Sequence, residues 1–240
     1  MTAKDVTVAL RDVATPERAV ANAWFFKTGP GQYGEGDKFL GVTVPEQRKI
    51  AKQFKELPLK QVEKLTMSPW HEERMTGLFI LVGQYSRADK ANKKLIYEFY
   101  ITHTKWINNW DLVDSSAEYI VGPWLDTRPE KMMVLTTLAG SSLLWDRRIA
   151  IIATFEYIRQ GRADEALVIA EELLDDPHDL IQKAVGWMLR EVGKRVGRAF
   201  LEVFLDKHAA TMPRTTLRYA IEHFNAKQRE HYLKLRTKTS

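Results

Sequence analysis

A short acidic and aromatic segment, Asn109-Trp110-Asp111-Leu112-Val113-Asp114, contains the residue types that could do chemistry. Trp110 and Asp114 are four residues apart, so in a helix their side chains would project side by side. A carboxylate next to an indole ring can stabilise a developing positive charge, because both groups attract cations. Asp111 would lie near the start of that helix, where an acidic side chain interacts favourably with the macrodipole. The alternative is that Asp114 is an ordinary surface residue.

The segment from about Leu180 to Arg195 predicts a helix with two different faces. Apolar residues recur with helical periodicity along one face, at positions 181, 184, 185, 188, 189 and 192. Four residues lie within about 60° of one another on another side: Lys183, Trp187, Arg190 and Lys194. A tryptophan among cations could stack on a sugar or base while the cations bind phosphates. Alternatively, Trp187 packs against a neighbouring helix and the aliphatic parts of the cations surround it.

A third candidate segment, Trp145-Asp146-Arg147-Arg148, precedes the nearly continuous apolar run from Ile149 to Ile158. Arg147 and Arg148 would lie at the start of a buried helix, where a guanidinium can bind a phosphate through two hydrogen bonds. The alternative is a structural salt bridge to Asp146 or Asp111.

The elements that position these segments are predicted to be helices. Alternating β-branched runs bounded by Asn-Gly or Asp-Gly turns are absent from the sequence, and helical periodicity is widespread. Three proline-containing segments predict helix starts, because proline is tolerated in a first turn: Thr15-Pro16-Glu17, Val44-Pro45-Glu46 and Asp176-Pro177. The fold class is therefore predicted to be all-α.

A weak repeat relates five amphipathic segments. They open at Arg74, Asp111, Arg148, Lys183 and Arg218, which are 37, 37, 35 and 35 residues apart. Two short helices with their turns fill such a unit, so the repeat predicts an α-solenoid of stacked helix pairs, whose concave side is the usual binding surface. A set of unrelated helices is the alternative.

One segment interrupts the helical pattern. Residues 28–38 read TGPGQYGEGDK, which predicts a flexible Gly-rich loop at the surface or a mobile lid. The loop is too short for an interdomain linker, so residues 1–240 are predicted to form a single domain. The basic end of the chain, about 234–240, is predicted to be a frayed tail.

Composition excludes several classes of protein. The 36 basic and 31 acidic residues of the 240-residue chain give a net charge of +5, which agrees with a polyanionic partner. The absence of cysteine removes disulfides, thiolate nucleophiles and cysteine-bound metals. The six histidines are scattered, so we expect no metal site. No signal pattern or long apolar run is present, so we expect a protein that is not membrane-bound and acts in the cytoplasm.

Together these residues resemble the AlkD-type DNA alkylation repair glycosylases, which are built from HEAT-like helical repeats. The resemblance extends from about Phe39 to Phe224, and the blocks WDLVD and QKAVGWMLRE are its most specific landmarks. The full set of landmark segments, two of which contain these blocks, is FLGVTVPEQRK, KWINNWDLVDSSAEYI, WDRRIAI, IQKAVGWMLRE and RTTLRYAIEHF. The sequence departs from the family at the 28–38 loop, at Glu156 and at Asp179, and the family's aromatic residue near the lesion is matched only loosely by Trp24 or Phe25.

The resemblance implies a fold, a site and a partner. It implies an α-solenoid of HEAT-like helix pairs with a concave basic groove that binds double-stranded DNA containing alkylated bases. The implied catalytic residues are Asp114, Trp110 and Trp187. The implied DNA-binding residues are Arg148 and Arg190. We also expect five further cations to bind DNA, namely Lys183, Lys194, Arg147, Arg214 and Arg218. No cofactor or metal is implied, and no feature of the sequence argues for oligomerisation, so we expect a monomer.

The implied activity is hydrolysis of the N-glycosidic bond of purines alkylated at N3 or N7, such as 3-methyladenine and 7-methylguanine, without extrusion of the lesion into a pocket. A non-catalytic family member that binds distorted or branched DNA is one alternative. A helical-repeat scaffold for proteins is another. The carboxylate of Asp114 favours catalysis, because a carboxylate facing a polyanion weakens simple binding.

Overall fold

The computed structural model describes residues 1–235, and the chain folds into α-helices without strands over that range. The all-α prediction is confirmed, and the succession of short helices is consistent with a helical solenoid. The chain divides into two compact units, Met1–Ile120 and a second that begins at Val121. The helices up to that boundary are α1 (Ala3–Asp12), α2 (Pro16–Phe25), α3 (Val44–Gln53), α4 (Leu59–Thr66), α5 (His71–Arg87), α6 (Lys90–Thr102) and α7 (Trp110–Asp114), followed by α8 (Ala117–Leu125), which contains it.

The second unit continues with helices of similar length. They are α9 (Lys131–Ala139), α10 (Leu144–Ala153), α11 (Phe155–Arg159), α12 (Asp164–Glu172), α13 (Asp179–Arg195), α14 (Arg198–His208), α15 (Arg214–Ala220) and α16 (Ala226–Lys234).

Two of the three helix starts predicted from proline are confirmed. Pro16 is the first residue of α2, and Pro45 lies in the first turn of α3, where the Thr43 side chain caps the helix. The third prediction was wrong by two residues. Pro177 lies before α13, which begins at Asp179, because the His178 side chain accepts the backbone N–H of Leu180 and caps the helix there.

α5 forms the centre of the first unit. Its residues 71–81 are all buried, and α3 and α4 pack against it. The first turn of α5 brings four polar side chains into this core, namely His71, Glu72, Glu73 and Arg74. Because a buried charge is costly unless it is paired and hydrogen-bonded, these four residues require partners from other elements.

Glu72 finds its partners in the segment that precedes α3. Its carboxylate accepts the backbone N–H groups of Leu40 at 2.8 Å, Gly41 at 2.9 Å and Val42 at 3.3 Å. Gly41 has a φ of 90°, and a Cβ atom at this position would lie 2.0 Å from the carbonyl oxygen of Thr15. Glycine is therefore required here, both by the backbone conformation and by the close approach of the residue that precedes α2.

α2 differs from the other helices of this unit because none of its residues is buried. It nevertheless ends in two large aromatic residues, Trp24 and Phe25, whose exposed fractions are 83% and 55%. Such exposure of large apolar side chains on one helix is a feature of binding surfaces.

In the second unit, α13 packs closely against α15. The contact is tightest at Gly186, where a Cβ atom would lie 2.5 Å from the carbonyl oxygen of Thr216 and 2.5 Å from the Cβ of Tyr219. The absence of a side chain at Gly186 therefore sets the distance between the two helices.

The structure describes the whole of the predicted loop but only part of the predicted tail. Residues 28–38 lie outside the helices, but Asp37 holds the end of this loop through polar contacts to α5. The flexibility of the loop stays a prediction. Of the predicted tail 234–240, Lys234 is the last residue of α16, and residues 236–240 lie outside the described residues.

Candidate functional site

α7 is a single helical turn whose start is fixed by Asn109. The side-chain oxygen of Asn109 accepts the backbone N–H of Trp110 at 2.8 Å, and the Asn109 backbone is extended. Leu112 and Val113 are buried and hold the turn against the core. Trp110 and Asp114 therefore lie four residues apart on one helical turn, as predicted, and both are half-buried.

Trp110 belongs to a cluster of aromatic rings in the first unit. Its ring stacks on Phe26 with centroids 5.5 Å apart, and Phe25 meets it edge-on at 6.0 Å. Phe26 in turn stacks on Phe39 at 5.2 Å, and the Phe39 ring lies 4.7 Å from the imidazole of His71. The rings fix the orientation of Trp110 from one side, since offset-stacked and edge-on pairs stabilise each other beyond simple burial.

A network of charged side chains lies next to these rings. The His71 imidazole binds the Asp111 carboxylate through Nε2 at 2.8 Å and the Asp37 carboxylate through Nδ1 at 2.8 Å. Arg74 donates to the second oxygen of Asp37 at 2.7 Å. The network joins the 28–38 loop, α5 and α7, and so it positions the turn that contains Trp110 and Asp114.

The carboxylates keep His71 protonated at neutral pH. Burial alone would lower the pKa of His71, but the charges and hydrogen bonds of Asp111 and Asp37 outweigh it and raise the pKa to about 9. Burial would raise the pKa of Asp37, but its hydrogen bond to His71 and the charge of Arg74 lower it below its usual value. Sequence reasoning missed this network, because its members are 34 and 40 residues apart and no local pattern connects them.

The two-faced helix predicted over 180–195 is confirmed as α13. All six residues of its apolar face are buried: Ile181, Ala184, Val185, Met188, Leu189 and Val192. On the other side, Lys183, Trp187 and Arg190 are half-buried and Lys194 is exposed. The Trp187 ring lies 6.0 Å from the ring of Phe155, so it packs in part against a neighbouring helix of the second unit, α11.

Acidic side chains accompany several of the predicted DNA-binding cations. Lys183 pairs with Asp179 at 2.8 Å, and Arg190 pairs with Glu222. Arg147 forms a structural salt bridge, but its partner is Asp176 at 2.6 Å rather than Asp146 or Asp111. For Arg147 the expected partner was wrong, because the segment that precedes α13 supplies the carboxylate. The charges of these cations are therefore partly compensated within the protein.

The remaining predicted DNA-binding residues differ in accessibility. Arg148 is only 5% exposed, and its guanidinium donates to the carbonyl oxygen of Leu180. Arg214 is half-buried and donates to the carbonyl oxygen of Leu233 at 2.7 Å. Arg218 is exposed on α15. Contact of any of these residues with DNA stays a prediction.

The described residues also bear on two other classes of site, metal centres and membrane spans. Among residues 1–235, no group of three or more His, Asp or Glu side chains could hold a metal ion. Over the same range, no helix combines the length and apolar character needed to span a bilayer.

Comparisons with known proteins agree with the resemblance noted in the sequence. Residues 6–224 match a family described as DNA alkylation repair enzyme. Among solved structures, the fold is similar to a "Predicted DNA alkylation repair enzyme from Enterococcus faecalis", with a TM-score of 0.69 and 17% sequence identity over 89% of this chain and 97% of that chain. At 17% sequence identity, this structural similarity shows that the two proteins share a fold and shows nothing further. No curated protein matches the sequence.

Proposed function

Because this chain belongs to the family of DNA alkylation repair enzymes, we propose that it is a DNA glycosylase that releases cationic N3- or N7-alkylated purines from double-stranded DNA. The observation that carries the proposal is the presence, within the 6–224 match, of an indole and a carboxylate four residues apart on one helical turn. The expected substrates contain 3-methyladenine or 7-methylguanine.

The charge of the substrate determines which catalytic groups the protein must provide. A purine alkylated at N3 or N7 is positively charged, so breaking its bond to deoxyribose releases a neutral base and needs no general acid. Positive charge then develops on the sugar, and water adds at C1′ to complete the hydrolysis. The protein therefore has to stabilise the sugar cation and position that water.

Asp114 is the residue that we assign to this task. A carboxylate about 4 Å from the sugar cation, at an effective dielectric constant near 20, stabilises it by about 4 kcal/mol. An indole face adds about 0.5–2 kcal/mol for a desolvated cation. The sum corresponds to a rate factor of roughly 10³–10⁴, which is too small to expel a neutral base whose leaving group needs a proton.

The other assigned residues bind and orient the DNA. Trp110 and Trp187 would brace the sugar, and the phosphates would be bound by Arg148, Arg190, Lys183, Lys194, Arg147, Arg214 and Arg218. We assign these cations to a basic concave groove of HEAT-like helix pairs. Because stabilisation acts on the sugar and not on the base, the lesion does not have to be flipped into a pocket. Cleavage also requires neither a cofactor nor a metal. We expect the protein to act as a monomer in the cytoplasm.

The proposal is tested by measuring which bases the protein releases. Duplex DNA methylated at N7 of guanine and N3 of adenine is incubated with the wild-type protein, and free bases are separated by chromatography. A matched duplex containing hypoxanthine or uracil supplies neutral leaving groups. We expect release of 7-methylguanine and 3-methyladenine and at least about 10³-fold slower release of the neutral bases, because these need protonation.

Two results would contradict the proposal. Comparable release of neutral and cationic bases would mean that a general acid operates. No release of any base, together with tight binding to distorted or branched duplexes in a gel shift, would favour a non-catalytic DNA-binding member of the family.

A further inference from the structure

The first unit contains a cavity of about 730 Å³ beside α2, α3, α5 and α7. Its volume lies in the range of small-molecule binding sites, which is about 300–1,000 Å³. Aromatic side chains form much of its wall, including Trp24, Phe25, Phe26 and Trp110. Of the residues that we assign to the proposed reaction, only Trp110 lines this cavity.

The aromatic part of the wall suits a flat ligand. Phe26 and Trp110 are stacked with an interplanar angle of 28°, and Phe25 meets Trp110 at 68°. Trp24 and Phe25 belong to α2, which has no buried residue, so their rings are accessible at the rim. Aromatic side chains that remain accessible in this way are the usual stacking partners of nucleobases.

The polar part of the wall offers one unused hydrogen-bond acceptor. Gln47 lines the cavity and is only 3% exposed. Its Nε2 donates to the carbonyl oxygen of Val42 at 2.9 Å, which orients the amide, while its Oε1 is buried without a partner among residues 1–235. A buried acceptor without a donor costs free energy, so a ligand that brings an N–H group is favoured there.

The neighbouring carboxylate does not compete for that donor. Glu72 also lines the cavity, but it already accepts three backbone N–H groups and the side-chain amide of Asn22 at 3.3 Å. Charged side chains also line the cavity, but the cations Arg18 and His71 balance the carboxylates Glu72 and Asp111. The cavity therefore combines flat apolar faces, a lining without net charge and one buried acceptor, Oε1 of Gln47, that has no partner among residues 1–235. This combination fits a planar heterocycle that has an exocyclic amine and no net charge.

We propose that this cavity binds the free methylated purine after its release, with the ring against Phe25 and Trp110 and the exocyclic amine donating to Oε1 of Gln47. The inference rests on the proposed function, because it takes the product of that reaction as the ligand. Bond cleavage turns a cationic base into a neutral one, and a neutral base enters a mostly apolar cavity at a lower cost of desolvation than a cation. The cavity is thus a product site, and it shares Trp110 with the position where the glycosidic bond is proposed to break.

The test uses the full chain and free bases. Binding of 3-methyladenine and of 3-methylpurine, which lacks the amine, is measured by isothermal titration calorimetry for wild type, Gln47→Met and Phe25→Ala. Gln84→Met is the matched control, because the Gln84 amide also donates to backbone carbonyls, those of Lys55 and Leu57, but lines another cavity.

We expect the wild type to prefer 3-methyladenine over 3-methylpurine by about 3- to 10-fold, the factor expected for one neutral hydrogen bond. Gln47→Met should lose this preference, whereas Gln84→Met should keep it. Phe25→Ala should weaken both ligands similarly, and it provides the test if Gln47→Met does not fold. Absence of binding to the wild type at millimolar base, or an unchanged preference in Gln47→Met, would overturn the proposal.

The two proposals fail separately. If the protein releases 7-methylguanine from DNA but does not bind free 3-methyladenine, the cavity proposal is wrong and the glycosylase proposal stands. If free base binds through Gln47 but no base is released from DNA, the cavity binds purines and the glycosylase proposal is wrong.

Discussion

Glu72 is a buried carboxylate whose charge is balanced by hydrogen bonds from the backbone. Replacing it with alanine would leave the N–H groups of Leu40, Gly41 and Val42 without an acceptor in the core. We expect Glu72→Ala to lower the free energy of unfolding by about 2–4 kcal/mol, because unsatisfied buried donors are costly. Thermal denaturation followed by circular dichroism measures the effect.

The control for this variant is Glu98→Ala, which removes a carboxylate from an exposed pair with Lys94. Exposed pairs of this kind contribute little, so the unfolding midpoint should stay within the error. A Glu72→Ala protein as stable as the control would mean that the backbone donors find other acceptors.

His71 gives the stability a pH dependence whose sign follows from its pKa. The pKa is raised from 6.5 to about 9 in the folded protein, so its contribution is fully present below pH 6.5 and is lost as the pH rises through 9. The difference corresponds to about 3 kcal/mol. The pKa of Asp37 is lowered from 3.8, so its contribution is present above that value and is lost on acidification. We expect the highest stability between about pH 4 and pH 6.5.

Urea denaturation at a series of pH values tests this expectation. Wild type should lose stability between pH 6.5 and pH 9, and His71→Gln should lack that slope. His231→Gln, which changes an exposed histidine of α16, should keep it. A slope that is equally steep in all three proteins would show that another group is responsible.

Residue-level predictions from the sequence succeeded where the partners are close in the chain. Trp110 and Asp114 lie on one turn because their spacing and Asn109 as a cap are local features. Asp111 also lies in the first turn, as predicted, but its carboxylate binds His71, which is 40 residues away. Gln47 and the cavity that it lines gave no signal in the sequence, because a cavity depends on how separate helices pack.

At the scale of helices, the contact between α13 and α15 depends on Gly186. A methyl group there would collide with Thr216 and Tyr219, both at 2.5 Å from the added Cβ. We expect Gly186→Ala to lower the free energy of unfolding by about 1–3 kcal/mol, because overpacking outweighs the gain in helix propensity. Chemical denaturation measures this change.

Gly83→Ala is the matched control in a helix of the first unit. A Cβ at Gly83 would meet only the side chain of Arg87, at 3.6 Å, which is an ordinary contact. This substitution should stabilise the protein by up to about 1 kcal/mol through helix propensity alone. If both substitutions had the same sign, the proposed collision at Gly186 would not exist.

The helices that could be predicted are those in which apolar residues recur at helical spacing. α13 was predicted at about 180–195 and extends over Asp179–Arg195, because six buried apolar residues recur at helical spacing. The apolar period placed its start within one residue, whereas the proline at Asp176-Pro177 indicated a start that is too early, because His178 caps the helix. α2 was predicted from Pro16, but the sequence did not indicate that all its residues would stay outside the core.

At the scale of the whole molecule, the net charge of +5 is distributed among cations with different degrees of compensation. Lys183, Arg190 and Arg147 pair with acidic side chains, whereas Lys194 and Arg218 are exposed. The predicted DNA-binding set came from residue type and family resemblance. Neither shows which carboxylates lie nearby, since the partners of Arg190 and Arg147 are about 30 residues away.

Salt dependence of DNA binding tests how these cations act. We expect Lys194→Ala and Arg218→Ala each to lower the slope of log K against log salt concentration by about 1, because each removes one phosphate contact. Fluorescence anisotropy with a labelled duplex at several salt concentrations measures the slope. Lys94→Ala, on the exposed side of α6, is the control and should leave it unchanged. Unchanged slopes in the first two variants would remove both residues from the DNA-binding surface.

The Asp114 carboxylate is proposed to stabilise the sugar cation formed when a methylated purine leaves. This role is tested by the single-turnover rate of 7-methylguanine release from methylated duplex DNA by wild type, Asp114→Asn and Asp89→Asn. The last variant is the control, because asparagine caps α6 as well as aspartate does. We predict that Asp114→Asn binds DNA but releases the base about 10³-fold more slowly, and that Asp89→Asn behaves as wild type. Release by Asp114→Asn at the wild-type rate would show that this carboxylate does not stabilise the sugar cation.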